Sequence, residues 1–245
     1  MTIDTLVLDI EGTVCPITFV KDSLFPYFVE KFPTFIDQLD FPLDPQSDDP
    51  IVKILDQLPH DIKESSINII NHFKDLVAKD VKDPILKSLQ GFIWKAGYEN
   101  GDLKAPVYED SIKFIKEYPN KAKTQKIYIY SSGSIKAQIL LFGYVKDPTT
   151  NDKSLDLNPY LSGYFDITTA GYKTESESYD KILQEIGKSD NSKSVLFLSD
   201  NVNEVKAAIK AGMQSYIVVR PGNAPITEQD KSSYTVIDSL DQLQL

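Results

Sequence analysis

The chain has 245 residues, 41% hydrophobic and 25% charged, a balance that suits one soluble globular unit or a core domain carrying a smaller inserted one. Its formal charge of −10 argues against nucleic acid or an anionic membrane surface as a partner, and it lacks the run of about 18 apolar residues that a transmembrane helix needs. One cysteine, Cys15, excludes an intramolecular disulfide and fits a reducing compartment.

The opening residues, Met1-Thr2-Ile3-Asp4, carry no basic region, so no signal peptide is expected. Thr5 to Asp9 is an apolar run ending in an acid, which predicts a buried strand with a carboxylate at its tip. From about Lys21 to Gly101 the pattern is helical. Ile67, Ile70, Phe73 and Leu76 or Val77 recur at helical spacing, and Asp83-Pro84 reads as a cap and first-turn proline of a helix running through Trp94. Pro42, Pro45 and Pro50 mark a polar loop between helices. Beyond Pro106 the pattern alternates. A short helix from Ser111 to Tyr118 precedes a strand from Lys126 to Tyr130 that runs into Ser131-Ser132-Gly133-Ser134. A helix from Ile135 to Phe142, a polar loop from Asp147 to Asn158 and a strand from Tyr164 to Thr168 follow. A helix from Glu175 to Lys188, an apolar strand from Ser194 to Asp200, a helix striped by Val202, Val205, Ile209 and Met213, and a strand from Ser215 to Val219 complete the series. Such alternation means a parallel sheet, here split after its first strand by an all-helical insertion.

Ligands of open parallel sheets bind outside the carboxyl ends of the strands. Asp9 with Glu11, Ser131 with Ser132, Lys173 and Asp200 all fall there. Singly, each has an ordinary reading: a turn cap for Asp9, a helix cap for Ser131 or Asp200, a solvated surface lysine for Lys173. Together they suit phosphoryl transfer. A carboxylate can attack phosphorus and form an acyl phosphate. Mg²⁺, held by the Asp9 and Asp200 carboxylates, would offset the charge, with Lys173 and a serine hydroxyl on the phosphate oxygens. Glu11 would protonate the leaving oxygen and then deprotonate the hydrolytic water.

The order Asp9-x-Glu11-Gly12-Thr13, Ser131 or Ser132, Lys173 and Asp200 resembles the haloacid dehalogenase-like phosphatases. Most of these have aspartate where Glu11 stands. Glutamate there resembles the enolase-phosphatase (acireductone synthase) branch, and the likeness continues through Leu8 to Thr13, Leu89 to Tyr98, Tyr130 to Ser134, Gly171 to Lys173 and Arg220 to Pro225. The resemblance implies a Rossmann-like α/β phosphatase core over residues 1–20 and 103–245, with a helical cap over 21–102. It implies conversion of 2,3-diketo-5-methylthiopentyl 1-phosphate to the acireductone in methionine salvage, with one Mg²⁺ per chain. Asp9 would be nucleophile and metal ligand. Glu11 would be the acid/base and a metal ligand through its backbone carbonyl. Ser131, Ser132 and Lys173 would bind substrate, and Asp200 would complete the metal set. A monomer in the cytoplasm and nucleus is also implied, acting on a small phosphorylated substrate, without nucleic acid or membrane.

Val14-Cys15-Pro16 departs from the Thr/Ser-rich stretch of many members, and Asn201 stands where a second acid often follows Asp200. Glu204, one helical turn on, is open to outer-sphere metal, solvated or capping roles. Cys15 reads as an inert buried thiol, and His60 and His72 as solvated helix positions without metal-ligand spacing. Trp94 and Tyr98 are core packing or a pocket wall. Two other functions fit parts of the pattern: a phosphatase of another small phosphomonoester, and a phospho-accepting receiver module. Receivers are about half this length and lack a helical insertion.

Overall fold

The computed structural model describes residues 2–81, 83–150 and 153–245. The chain divides into two compact units, one made of Met1–Phe19 with Lys104–Leu245, the other of Val20–Leu103. The first begins with strand β1 (Thr5–Leu8), buried at every position.

The second unit is helical: α1 (Phe25–Ile36), α2 (Pro50–Leu55), α3 (His60–Lys63), α4 (Ser66–Ala78) and α5 (Pro84–Glu99). Its starts are written locally. Asp49, Ser65 and Asp83 accept hydrogen bonds from the amides of Ile51, Asn68 and Leu86, and Pro50 and Pro84 occupy first-turn positions where no amide hydrogen is needed. The core gathers Phe28, Phe32, Phe73, Leu89 and Ile93, with Phe32 and Phe73 edge to face at 5.4 Å. The α4 stripe is set differently from the sequence expectation. Ile69, Ile70 and Phe73 face inward, and Ile67 is 57% exposed. Helix α5 outruns its predicted end at Trp94 by a further turn. Its Gly97 admits the Tyr27 ring to a point where a Cβ would lie 2.6 Å away. Tyr98 is buried, and the Trp94 indole stacks on Phe25 and donates to the Leu24 carbonyl at 2.9 Å.

The first unit resumes with α6 (Glu109–Lys121), β2 (Lys126–Tyr130) and α7 (Ile135–Gly143), then a small antiparallel pair, β3 (Val145–Lys146) with β4 (Ser154–Leu155). Residues 151–152 of the polar loop lie outside the described residues. Then come β5 (Gly163–Phe165), α8 (Ser176–Glu185), β6 (Val195–Ser199), α9 (Val202–Lys210), β7 (Gln214–Val218), α10 (Glu228–Ser233) and β8 (Val236–Ile237). The sheet runs β5-β2-β1-β6-β7-β8, all parallel. Strand β1 is central, with Leu8 level with Ile129 and Leu198. The predicted strand from Tyr164 to Thr168 stops at Phe165. Asp166 turns the chain there by accepting from the amides of Thr168 and Thr169. In α9 the buried positions are Glu204, Val205, Ala207 and Ala208, whereas Ile209 is 41% exposed. Among the described residues no helix is long and apolar enough to cross a membrane.

One buried node ties the first unit's distant segments. The Arg220 guanidinium donates to the Thr13 carbonyl (3.0 Å), the Asp238 carbonyl (2.8 Å) and Asp110 Oδ2 (2.7 Å), and lies 4.5 Å over the Tyr108 ring. Asp110 also accepts from Ser239 Oγ and the Leu240 amide. Burial raises the Asp110 pKa, but the Arg220 hydrogen bond and charge, with the Leu240 amide, outweigh it and hold the group below the ordinary aspartate range. The stabilisation is therefore present above about pH 4 and lost as pH falls through the lowered native value. Asp110→Ala is expected to cost about 3–5 kcal/mol, because it leaves a buried guanidinium unpaired. Urea unfolding at pH 7 checks this, and the gap to the parent should narrow below pH 4.

Candidate active site

Four strand tips and the loops beyond them build one polar edge of the first unit. Asp9 continues the β1 ladder, its amide donating to Leu198 O at 3.0 Å, so its position is fixed by the sheet. The chain then closes a tight turn. The amides of Thr13, Val14 and Cys15 all donate to Ile10 O, and that of Gly12 donates to Cys15 O. Gly12 has φ +74°, and a Cβ there would lie 2.5 Å from Asp200 Oδ2, so glycine is required by both backbone and space. Asn223 Nδ2 donates to the Gly12 carbonyl at 2.8 Å and pins this turn to the segment after β7.

Lys173 is buried, against its ordinary reading as a solvated lysine. Its Nζ lies 2.6 Å from Asp9 Oδ1 and 2.7 Å from Glu204 Oε2. Burial opposes its charge, but the Asp9 and Glu204 carboxylates outweigh this and hold its pKa above the ordinary lysine value. Asp9 Oδ1 also accepts from the Ile10 amide at 2.8 Å. Ser199 Oγ lies 2.8 Å from Glu204 Oε2 and 3.3 Å from Asp9 Oδ2. A hydroxyl has one proton to give, so the shorter contact is the favoured donation.

Asp200 is partly buried and is not the cap of α9. Asn201 takes that role, accepting from the Asn203 amide. Ser131 does not cap α7 either, because Ser134 does. Ser131 is buried at the tip of β2, its amide donating to Phe165 O and its hydroxyl accepting from Gly133 N–H, while Ser132 beside it is exposed. Glu204 is neither solvated nor a cap, since it faces inward onto Lys173. The sequence signal was its place one turn past Asp200 beside buried Val205 and Ala208. Ser199 carries no such signal, and Asn223 only its place in the Arg220 to Pro225 segment. Cys15 is fully buried, and burial raises its thiol pKa far beyond the reactive range. His60 is exposed and pairs with Glu64, and His72 lies edge-on to Phe73.

The electrostatics are lopsided. Asp9, Glu11, Asp200 and Glu204 converge on a single ammonium. Burial, then the charge of Asp9, pushes both Glu11 and Asp200 up to about 7, and the same causes raise Glu204. Hard oxygen donors with surplus negative charge fit a small divalent cation. Asn223 Oδ1, buried without a partner among the described residues, lies 3.0 Å from where a Gly12 Cβ would sit, beside Asp200, and could accept from cation-bound water. Among the described residues no three acidic, imidazole or thiol side chains form a ready cage, so a cation would keep water or substrate oxygens in its shell.

Because the native pKa values of Glu11 and Asp200 stand above their unfolded ones, their contribution is most favourable below about pH 4 and is lost as pH rises towards 7. In EDTA-treated protein, Asp200→Asn is therefore expected to unfold at a higher temperature than the parent at pH 8, with the difference shrinking at pH 5. Calorimetry across that range checks it.

Comparison with known proteins agrees with this geometry. The haloacid dehalogenase-like hydrolase family matches residues 3–212. "Enolase-phosphatase E1" of Scheffersomyces stipitis is 66% identical over 245 residues, covering 99% of this chain and 100% of the relative. The protein of that name from Candida albicans is 63% identical over 254 residues, covering 99% and 96%. The crystal structure of the UTR4 protein of Saccharomyces cerevisiae superposes with a TM-score of 0.85 at 49% identity, covering 99% of this chain and 100% of that one. With the family matched across both units and relatives this similar along their whole length, the chain belongs to the haloacid dehalogenase-like hydrolases and, within them, to the enolase-phosphatases.

Proposed function

We propose that this enzyme converts 2,3-diketo-5-methylthiopentyl 1-phosphate to 1,2-dihydroxy-3-keto-5-methylthiopentene and inorganic phosphate, through a phosphorylated Asp9 and with one Mg²⁺ per chain. The observation that carries this reading is a buried, lysine-paired carboxylate at the tip of the central strand, with a second, partly buried carboxylate two residues on. The first suits a nucleophile and the second a proton carrier.

The substrate phosphoryl group is held by the Lys173 ammonium and the hydroxyls of Ser131 and Ser132. The substrate is first enolised, C1 losing a proton and the C2 oxygen gaining one. An Asp9 carboxylate oxygen then forms the new bond to phosphorus as the bond from phosphorus to the C1 oxygen breaks. Protonated Glu11 gives its proton to that leaving oxygen. As carboxylate, Glu11 then takes a proton from the water that attacks the acyl phosphate, which frees inorganic phosphate and restores Asp9. Burial favours the protonated form of Glu11 in the cation-free site, and its place two residues past Asp9 lets one side chain serve both steps. The Asp9 and Asp200 carboxylates and the Glu11 carbonyl would hold Mg²⁺, which when bound would supply the hard positive charge that lets an anionic nucleophile meet an anionic phosphate. Arg220 has a structural role, its guanidinium being engaged by Thr13, Asp238, Asp110 and Ser111.

Asp9→Asn is expected to abolish turnover, and near-normal turnover in that variant would remove Asp9 as nucleophile. Glu11→Gln should lower kcat by about 10²–10⁴-fold, the usual worth of a general acid, with a smaller effect on KM. EDTA should stop the reaction and added Mg²⁺ restore it. Steady-state kinetics on the diketo phosphate and on sugar and nucleotide monophosphates test the substrate. A comparable kcat/KM across the panel would point to a general phosphatase instead.

A further inference from the structure

Lys173 stands in a segment with no regular secondary structure, between the end of β5 and the start of α8. Carbonyls in such a segment lack ladder partners and must find other donors. Three consecutive ones accept from side-chain hydroxyls, and the Tyr172 carbonyl also accepts from the Glu175 amide at 3.1 Å. Tyr130 Oη donates to Gly171 O at 2.7 Å, Ser178 Oγ to Tyr172 O at 2.7 Å, and Tyr179 Oη to Lys173 O at 2.6 Å. Tyr130 comes from the tip of β2, and Ser178 and Tyr179 from the first turn of α8. Gly171 makes this possible. It has φ +117°, and a Cβ there would stand 2.5 Å from Ser178 Oγ. The donors are themselves rigid. The Tyr130 and Tyr179 rings meet edge to face at 5.5 Å, and Tyr179 meets Phe197 at 5.1 Å. The Lys173 ammonium lies 5.8 Å from the Tyr130 ring and 6.0 Å from the Phe197 ring.

We propose that the hydroxyls of Tyr130, Ser178 and Tyr179 form a clamp on the Gly171–Lys173 backbone that aims the Lys173 ammonium at the phosphoryl group. The proposal rests on the reading of Lys173 as a phosphate-binding residue. A lysine side chain is long and flexible, and its aim depends on what fixes its root. Its contact with Asp9 changes when Asp9 becomes an acyl phosphate, which leaves the Glu204 carboxylate, 2.7 Å away, as its lasting ion-pair partner at the tip of the side chain. The clamp is independent of the state of Asp9. Tyr130, Ser178 and Tyr179 are positioning residues, acting through the backbone.

The test removes one hydroxyl at a time, in Tyr130→Phe, Ser178→Ala and Tyr179→Phe, and measures orthovanadate binding to the full-length Mg²⁺-loaded protein by calorimetry, beside kcat and KM. Each variant is expected to bind vanadate about ten- to a hundredfold more weakly, the scale of a misplacement near 1 Å, with KM rising alongside. Tyr118→Phe is the control. The buried Tyr118 hydroxyl donates to Ile3 O at the amino end of β1, so its loss should lower the unfolding temperature and leave vanadate affinity unchanged. Parent-like vanadate binding in the clamp variants, with binding lost in Lys173→Met, overturns the clamp and leaves the phosphate reading standing. Parent-like binding in Lys173→Met overturns the phosphate reading and the clamp with it. Should one clamp variant fail to fold, the other two decide.

Discussion

Lys173 Nζ is within 2.7 Å of two buried carboxylates, Asp9 and Glu204, and the polar edge of the sheet is organised around that contact. Taking three charged groups out of water costs several kcal/mol each, and only close geometry with satisfied lone pairs offsets it. The surrounding donors supply that geometry, with the Ile10 amide on Asp9 and the Ser199 hydroxyl on Glu204. Even so, one ammonium cannot neutralise Asp9, Glu204, Glu11 and Asp200 together. The surplus appears as the raised pKa values of Glu11, Asp200 and Glu204. A site left short of positive charge in this way is suited to a cation and to a substrate that arrives with its own proton demand.

The scaffold earns its place by rigidity at the strand tips. Strand β1 is hydrogen-bonded on both sides, so Asp9 emerges from a backbone held by two neighbours. The turn that follows is forced tight by Gly12, which brings Asp200 against the backbone of residue 12. Arg220 and Asn223 then reach this turn through the Thr13 and Gly12 carbonyls. The site is thus tied to the segment after β7, more than 200 residues away in the chain.

The sequence made Asp9, Lys173 and Asp200 legible because each ends a strand or stands in a loop at one sheet edge, and strand order plus polarity suffices to place them. It made the helical unit's starts legible because caps are local: Asp83 and Pro84 act on amides within one turn. Other features depend on distance in the chain. The inward face of Glu204 is decided by Lys173, and the Arg220–Asp110 pair joins residues 110 apart. Helix phase was legible only in part. Ile67 and Ile69 both fit an apolar stripe, and the core of the helical unit, not the periodicity, selects Ile69. Ser134 and Asn201, not Ser131 and Asp200, cap α7 and α9, because their side chains reach the amides of Ala137 and Asn203.

A phosphorylated Asp9 is the claim on which the chemistry turns. Enzyme mixed with substrate and Mg²⁺, acid-quenched within the first turnover and digested, should yield the peptide containing Asp9 heavier by one phosphoryl group. Reduction with borohydride should convert that aspartyl phosphate to homoserine at residue 9 alone. A phosphoryl group trapped on another residue would contradict a nucleophilic Asp9. So would a full burst of product, under conditions that preserve acyl phosphates, with the Asp9 peptide unmodified.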